Sequence, residues 1–438
     1  MAQIPPGPAS VDDYPLPPDQ TEPLTLLTAL TETYGPIVRC PTAYGYSYLF
    51  SDPHHVQHIL NSTNYVRTLL LKIVLGDGSL TTDGPVWKQR RKIVQPAFHR
   101  PRIEAFQALM TTEAERLATE WQGRIGQTVD VDVDMMRLTL RVACGALFGQ
   151  EVEQNVARLG EALEVVVKDL GALTATLVSV PAAFSPDRNR RMKKAIAVID
   201  EAVNAIIERR RSAPHAEPTD LLDRLLAARN DDGQPLSDRE LRDEVVTMLV
   251  AGHETTATTL SWAWYLLSRH TDFDERWRRE LDALADRPVT LEDHAATPLT
   301  LQLFRETLRL YPPVWTNARK VVSTEVMDGY RIEGNCAAFV STYTLHRSPM
   351  WWRDPNDFKP ERFEEDQFRQ QHKFAYVPFA QGHHMCTGHH FATIEGRTIL
   401  ITLGRKFRLS LPEGQSVKPA ATVTLRVHDG LPMHLSRR

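Results

Sequence analysis

The sequence predicts a mostly α-helical protein with a smaller β part, folded as a single large domain. Three observations lead to this fold class. Helix-start signals and helical patterns recur along most of the chain. Strand-like patterns are confined to a segment near the start and to the last third. The two kinds of pattern do not alternate as they would in an α/β protein.

The N-terminal segment differs from the rest of the chain. Residues 1–22 are rich in proline and predict an extended or disordered tail, followed by one domain over residues 23–438. Residues 212–220, the best candidate for a linker, are short and predict a loop between helices. The tail lacks the features of a signal peptide, and the chain has no apolar run long enough to cross a membrane. We therefore expect a cytoplasmic protein without a membrane anchor.

Local signals mark the element boundaries. Asp52 is an N-cap residue with Pro53 at the first helical position. Ser237 and Glu240 form a capping box at the start of a long helix that runs to about Arg269. Helices are predicted over residues 83–95, 102–123, 132–148, much of 155–211, 237–269, 272–285, 298–311 and 388–406. Strands are predicted within residues 36–50, over 318–345 and after 406.

Composition excludes several classes of protein. Lys and Arg number 51 and Asp and Glu 55, so the net charge of −4 argues against a nucleic-acid binder. The four cysteines are scattered over a long chain and do not suggest a disulfide scaffold. Neither a P-loop nor a dinucleotide-binding G-x-G-x-x-G motif appears. These features are typical of an ordinary globular protein.

The stretch FAQGHHMCTGHHFA, residues 379–392, holds Cys386 among four histidines. A structural zinc site would need further ligands at suitable spacing, and a covalently attached haem would need C-x-x-C-H. A catalytic thiol would need a histidine that faces it. Taken alone, Cys386 is most simply a small buried residue near surface histidines.

The neighbours of Cys386 favour a thiolate ligand instead. Phe379, Gly382, Cys386 and Gly388 form the pattern F-x-x-G-x-x-x-C-x-G. The glycines permit a tight turn that directs backbone N–H groups at the sulfur. A helix that begins just after Cys386 would lower the pKa of its thiol. A single thiolate of this kind suits an axial ligand of haem iron.

With these residues the chain resembles the cytochrome P450 family over essentially residues 30–435. The resemblance implies the fold of that family, enclosing a haem b (iron protoporphyrin IX) whose iron is bound by Cys386. Ala380 stands where the family mostly has glycine. His384 stands where arginine is common, so a weaker contact with a haem propionate is expected there. The haem contacts implied from this stretch are Phe379, His384, Cys386 and Gly388.

The segment AGHETT, residues 251–256, lies midway along the long predicted helix. Small residues there would simply permit close helix packing. However, a glycine followed by an acid and two threonines lowers helix propensity, and threonine can bond to the preceding turn and bend a helix. The resemblance makes Glu254 and Thr255 the catalytic pair, with Thr255 holding the reacting oxygen and Glu254 relaying protons. It also places Ala251 against the haem.

The ETLR and PERF motifs belong together under the resemblance. Glu306 and Arg309 lie on one face of a helix, a spacing that is also common on exposed helices. The resemblance implies that both join Arg362 in a buried ion network, which must be fully paired to be tolerated. This network would hold the helix against the Cys386 loop.

Cationic or donor partners for the haem propionates are expected on other elements. Trp87 and Arg91, one turn apart in WKQRR, match the W-x-x-x-R pattern of the family. Arg319 lies where the family has another propionate-binding arginine. The alternatives are an ordinary amphipathic helix and a solvated arginine.

The resemblance implies a monooxygenase that inserts one oxygen atom from O2 into a C–H bond of an apolar small molecule. A terpene, fatty acid, steroid or polyketide would fit. Trp315 either narrows the pocket or packs into the core. The expected lining consists of residues 64–80, residues 168–185, Val250, Ala251, the PPVWT segment and the turn near Val423.

Electrons would come from a separate ferredoxin or flavodoxin with an NAD(P)H-dependent reductase. Lys88, Arg90 and Lys92 would dock an acidic ferredoxin, or else form a solvated face. Two alternatives remain: a peroxygenase that uses H2O2 on the same scaffold, and a non-enzymatic haem sensor or carrier. Glu254 and Thr255 argue against both of these alternatives. We expect the protein to be a monomer.

Overall fold

A computed structural model describes residues 2–15, 22–42, 45–68, 71–149, 156–175, 186–215, 218–230 and 232–438. The helices are α1 (Pro23–Tyr34), α2 (Pro53–Asn61), α3 (Lys72–Leu75), α4 (Gly84–Val94), α5 (Arg100–Ala105), α6 (Gln107–Gln122), α7 (Val131–Phe148), α8 (Val156–Ala175), α9 (Pro186–Ser212), α10 (Leu221–Ala227), α11 (Asp238–Arg269), α12 (Thr271–Asp282), α13 (Leu291–Ala296), α14 (Pro298–Leu310), α15 (Thr342–Leu345), α16 (Glu365–Phe368) and α17 (His389–Gly404). The strands are β1 (Ile37–Thr42), β2 (Gly45–Phe50), β3 (Tyr65–Arg67), β4 (Thr128–Asp130), β5 (Thr316–Val321), β6 (Glu325–Met327), β7 (Tyr330–Ile332), β8 (Ala337–Ser341), β9 (Phe407–Ser410), β10 (Pro419–Ala421), β11 (Leu425–Val427) and β12 (Pro432–Arg437).

The element order confirms the predicted mostly α fold with a smaller β part. The predicted capping box is present, because the Ser237 hydroxyl accepts from the Glu240 backbone N–H and the Glu240 carboxylate accepts from that of Ser237. Asp52 caps α2 by accepting from the His54 N–H. Local polar side chains therefore set these helix starts, as the sequence indicates.

Two differences from the predicted elements have local causes. α1 was not predicted, although Glu22 caps it and Pro23 occupies its first turn. The strand pattern predicted to Leu345 ends earlier, because the Ser341 side chain accepts from the Thr344 N–H and starts the short helix α15. In both cases a single cap decides the structure of a short segment.

The largest sheet has the order β1-β2-β8-β5-β3 within the described residues. β2 and β8 run parallel, and the other pairs are antiparallel. In the last pair, Arg67 of β3 lies directly opposite Arg319 of β5. The described part of the proline-rich tail lies beside the β6–β7 hairpin, where the Gln3 N–H donates to the Gly329 carbonyl oxygen at 2.9 Å.

α11 is the central helix of the core. It packs against α7, α9, α14 and α17, and buried residues occupy almost every face of it, including Trp262 and Trp264. A helix that is buried all round forms the interior of a large domain. No helix in the described ranges is long and apolar enough to span a bilayer.

Candidate functional site

The loop before α17 holds Cys386 in a tight turn, as predicted. Ala380 and Gly382 both have positive φ angles, +55° and +71°. Gly382 also needs its small size, because a Cβ there would lie 2.7 Å from the Leu60 carbonyl oxygen at the end of α2. The Cys386 N–H donates to the Phe379 carbonyl oxygen at 2.9 Å, which closes the loop. A Cβ on Gly388 would lie 3.9 Å from the Cys386 sulfur.

The Cys386 side chain is exposed, although protein atoms surround the thiol on several sides. Burial raises the pKa of this thiol. The Gly388 N–H and the Arg91 charge act in the opposite direction on this pKa but do not outweigh burial. The helix start therefore acts on this pKa in the predicted direction, but burial outweighs it.

The predicted residues of α4 lie against the Cys386 loop. Arg91 Nη1 donates to the Met385 carbonyl oxygen at 2.7 Å. The Trp87 ring contacts the His384 ring, with centroids 4.3 Å apart. α4 therefore contacts the loop through the two side chains that the W-x-x-x-R pattern singles out.

His384 lies between two charged neighbours, Arg67 and Asp83. Its Nδ1 accepts from Arg67 Nη2 at 2.8 Å, so Nδ1 carries no proton, and its Nε2 lies 3.2 Å from Asp83 Oδ1. Burial lowers the pKa of His384; the Asp83 hydrogen bond raises it and the Arg67 charge lowers it, with a net lowering. Both ring nitrogens thus have protein partners. Arg67, which the sequence did not single out, supplies the positive charge at this position.

A cluster of positive charge surrounds His384. Arg67 of β3 and Arg319 of β5 lie directly opposite each other. Burial lowers the pKa of Arg67 to about 10, and the charges of Arg319 and Arg91 contribute to this lowering. Arg319 is only 7% exposed. Like charges facing each other in a sheet are unfavourable unless an anion offsets them. The carboxylates of Asp83 and Glu244 act on Arg67, and that of Asp83 also acts on Arg319.

This cluster of guanidinium ions suits the carboxylates of a haem. A planar dianion placed beside the cluster would neutralise it, and its metal would bind the nearby Cys386 thiol. The donor set therefore suits a haem, with Arg67 as an anchor in addition to Trp87, Arg91 and Arg319. The signal for Arg67 is its position opposite Arg319, which only the strand register reveals.

The AGHETT segment combines exposed and buried positions on one helix. Ala251 is exposed although it lies midway along the buried α11. The Thr255 hydroxyl donates to the Ala251 carbonyl oxygen at 2.9 Å, the bond to the preceding turn that the sequence predicts. Glu254 is buried, and its Oε1 accepts from the Thr424 hydroxyl at 2.7 Å. The hydrogen bonds of the two predicted catalytic side chains thus go to different partners.

Burial changes the protonation of Glu254. It raises the pKa of this carboxyl to about 7, and the Thr424 hydrogen bond lowers it. A carboxyl with a pKa near neutrality can both give and take a proton at physiological pH. Glu254 therefore has the acid–base property that a proton relay needs.

The predicted ion network is present, with Glu306 and Arg309 buried and Arg362 partly buried. Glu306 and Arg309 are joined by hydrogen bonds of 2.7 and 2.8 Å, and Arg362 Nε lies 3.6 Å from Glu306 Oε1. Arg309 also donates to the carbonyl oxygens of Pro355 and Asp357. The network therefore holds α14 against the segment that leads to the Cys386 loop.

The predicted basic docking set is partly wrong. Lys88 and Lys92 are exposed on α4, but Arg90 is buried. Arg90 Nη2 donates to Glu240 Oε1 at 2.8 Å and its Nε lies 3.7 Å from Glu244 Oε1. The acids at one-turn spacing on α11 were the signal for this pairing.

The predicted lining of the substrate pocket is only partly described. Residues 69–70 and 176–185 lie outside the described residues. Trp315 is 4% exposed and donates its indole N–H to the Thr422 carbonyl oxygen at 2.9 Å, so it packs into the core. Val250 and Val423 are half-buried.

Comparisons with known proteins agree with this geometry. A family model described as Cytochrome P450 matches residues 15–435. Cyclooctatin synthase of Streptomyces melanosporofaciens is 31% identical over 418 residues, which are 92% of this chain and 89% of that protein. Cyclooctat-9-en-7-ol 5-monooxygenase of the same organism is 31% identical over 395 residues, 88% of this chain and 85% of that protein. The solved structure of retinoic acid bound cyanobacterial CYP120A1 superposes with a TM-score of 0.88 at 27% identity, covering 100% of both chains.

Proposed function

This chain belongs to the cytochrome P450 family of haem-thiolate monooxygenases, and we propose that it inserts one oxygen atom from O2 into a C–H bond of a terpene. The observation that carries the proposal is the Cys386 site: an exposed thiol in a tight turn, beside a cluster of three arginines, Arg67, Arg91 and Arg319. A protein that binds no anionic group would gain nothing from such a cluster of positive charge.

Specific residues would hold the haem in this proposal. Cys386 would bind the iron, while Arg67, Arg91 and Arg319 would bind the propionates with Trp87 alongside. The residues expected against the ring are Phe379, Ala251 and Gly388. When bound, the haem supplies the activation of O2.

The chain's own contribution to the reaction is proton delivery. The single hydroxyl proton of Thr255 now goes to the Ala251 carbonyl oxygen, so Thr255 must release that bond to donate into the cavity. Glu254, with a pKa of about 7, would give a proton towards Thr255 and regain one from solvent. The two residues would act in sequence, since their side chains have different partners.

A terpene substrate is supported by the relatives and by the apolar character of the lining. The two Streptomyces relatives are named for cyclooctatin and cyclooctat-9-en-7-ol, and the superposed cyanobacterial structure is bound to retinoic acid. Fatty acids, steroids and polyketides remain the other members of the apolar class. An apolar pocket gains affinity from buried surface and discriminates weakly between shapes of similar size.

Electrons would arrive from a ferredoxin or flavodoxin with an NAD(P)H-dependent reductase. α4 contacts the Cys386 loop on one side through Trp87 and Arg91 and exposes Lys88 and Lys92 on another. An acidic protein docked on these lysines would lie close to the thiolate side of the haem. The free cysteines fit a reducing compartment, which supports the cytoplasm.

Replacing Thr255 tests the proposal. With cyclooctat-9-en-7-ol as the probe and a ferredoxin system as reductant, Thr255→Ala should lower product per NAD(P)H at least ~10-fold and release H2O2 instead. Thr255→Ser keeps the hydroxyl and should retain coupling. Full coupling in Thr255→Ala would contradict the proposed proton delivery. Product formation by the wild-type protein from H2O2 alone, with none from O2 and reductant, would favour the peroxygenase alternative.

A further inference from the structure

Glu254 of α11 is hydrogen-bonded to a segment that is distant in sequence. Its carboxylate accepts from the Thr424 hydroxyl at 2.7 Å, and both residues are buried. Thr424 lies in the turn between β10 and β11, 170 residues further along the chain. Because the contact is buried, water competes little with the Thr424 hydroxyl for this carboxylate.

The turn that carries Thr424 is itself held in place. The Trp262 indole N–H donates to the Leu425 carbonyl oxygen at 2.7 Å, and the Trp315 indole N–H donates to that of Thr422 at 2.9 Å. The Thr422 hydroxyl donates to the Thr424 carbonyl oxygen at 2.8 Å. Side chains from α11 and from the start of β5 thus fix the position from which Thr424 reaches Glu254.

Charged groups of three neighbouring elements act on Glu254. They are Arg426 of β11, Glu164 of α8 and Asp132 of α7, and His253 lies next to Glu254 on α11. Arg426 lies 2.8 Å from Glu164 and 3.2 Å from Asp132, and its charge also lowers the pKa of Glu254. The hydrogen bond to the Glu254 carboxylate, however, comes from the neutral Thr424 hydroxyl.

We propose that Thr424 is a positioning residue for the proton relay, and that its hydroxyl holds the Glu254 carboxyl in one orientation in both protonation states. The Thr424 hydroxyl can donate to Oε1 of the ionised carboxylate, and also to Oε1 as the carbonyl oxygen of the acid when the proton is on Oε2. The carboxyl can then release its proton towards Thr255 and take one from solvent without turning away. This inference rests on the proposed role of Glu254 in proton delivery.

Infrared difference spectroscopy of the haem-loaded protein tests the contact apart from turnover. The carboxylic C=O stretch of Glu254 is identified by its loss in Glu254→Gln and followed as a function of pH. In Thr424→Val the band should move to higher frequency, because a hydrogen bond is lost. Its titration midpoint should rise by about one pH unit, since the lost bond favours the ionised form. Thr424→Ser should match the wild type in both respects.

Coupling measurements test the relay itself. Thr424→Val should lower product per NAD(P)H from cyclooctat-9-en-7-ol by about 10-fold, while Thr424→Ser stays within about twofold of wild type. Thr424→Ala replaces the valine variant if the latter does not bind haem. An unchanged band and midpoint in the variant lacking the hydroxyl would overturn the contact. A shifted band with full coupling would overturn the positioning role.

The same measurements separate this inference from the proposed function. If Glu254→Gln is itself fully coupled, the proposed relay fails, whatever the band of Thr424→Val does. If Glu254→Gln is uncoupled and Thr424→Val is not, the relay holds and the role of Thr424 is refuted.

Discussion

The buried ion network of α14 gives the sharpest stability prediction. Glu306 and Arg309 are both 0% exposed and joined by two hydrogen bonds. Glu306 Oε1 also accepts from the Lys359 N–H at 2.7 Å. Glu306→Gln keeps the shape of the side chain but removes its charge, so the buried Arg309 guanidinium loses its counter-ion.

The expected cost follows from burial. Removing one partner of a buried ion pair costs about 3–5 kcal/mol, because the remaining charge stays desolvated. Arg309 keeps its bonds to backbone carbonyl oxygens, including those of Pro355 and Asp357, so about 3 kcal/mol is expected. Glu361→Gln is the matched control, since Glu361 pairs with Arg276 at the surface and its loss should cost at most ~1 kcal/mol.

Urea unfolding of the haem-loaded variants, followed by far-ultraviolet circular dichroism and by haem absorbance, measures both costs. Haem must be present at the same concentration throughout, because a ligand that binds only the folded state adds to apparent stability. A difference between Glu306→Gln and Glu361→Gln of less than ~1 kcal/mol would refute the assignment of the network as a structural anchor.

Three further predictions concern the site. Ala380→Gly should stabilise the protein by about 0.5–1 kcal/mol in the same assay, because alanine pays for a positive φ angle that glycine adopts freely; an unchanged or lower stability would contradict this. Burial raises the folded-state pKa of Glu254 from 4.5 to about 7, so the contribution of this carboxyl to stability is present at low pH and is lost as the pH rises through 7. Glu254→Gln should therefore gain stability relative to wild type between pH 5 and pH 8. A stability difference that does not depend on pH would contradict the buried carboxyl. Replacing Lys88 and Lys92 by Glu should raise the KM for an acidic ferredoxin without changing haem absorbance. Replacing two exposed lysines of α9 by Glu should leave this KM unchanged. Equal effects of the two double variants would contradict docking on α4.

Features that depend on neighbours in sequence could be predicted. The capping box of Ser237 and Glu240, the cap at Asp52 and the back-bonding of Thr255 arise within one or two helical turns, and all are present. The pattern around Cys386 likewise defines its own turn. The short helix α1 was missed because its start lies next to a proline-rich segment, which masks a proline at the first helical position.

Features that depend on pairing between segments distant in sequence could not be predicted. Arg67 joins the cationic cluster because β3 pairs with β5 in a register that no local pattern gives. Arg90 lies in a run of basic residues, but helix packing turns it towards the acids of α11. The net effect on the pKa of the Cys386 thiol was misjudged because burial of the thiol outweighs the Gly388 N–H group and the Arg91 charge.

The central claim is that Cys386 is the thiolate ligand of a haem, and the absorption spectrum of the purified protein tests it most directly. With haem supplied, the wild-type protein should show an intense Soret band, and Cys386→Ala should alter its position. A terpene that binds beside the haem should shift the wild-type band, in a panel that also holds fatty acids, steroids and macrolides. No Soret band after haem is supplied, or identical spectra for wild type and Cys386→Ala, would contradict the account.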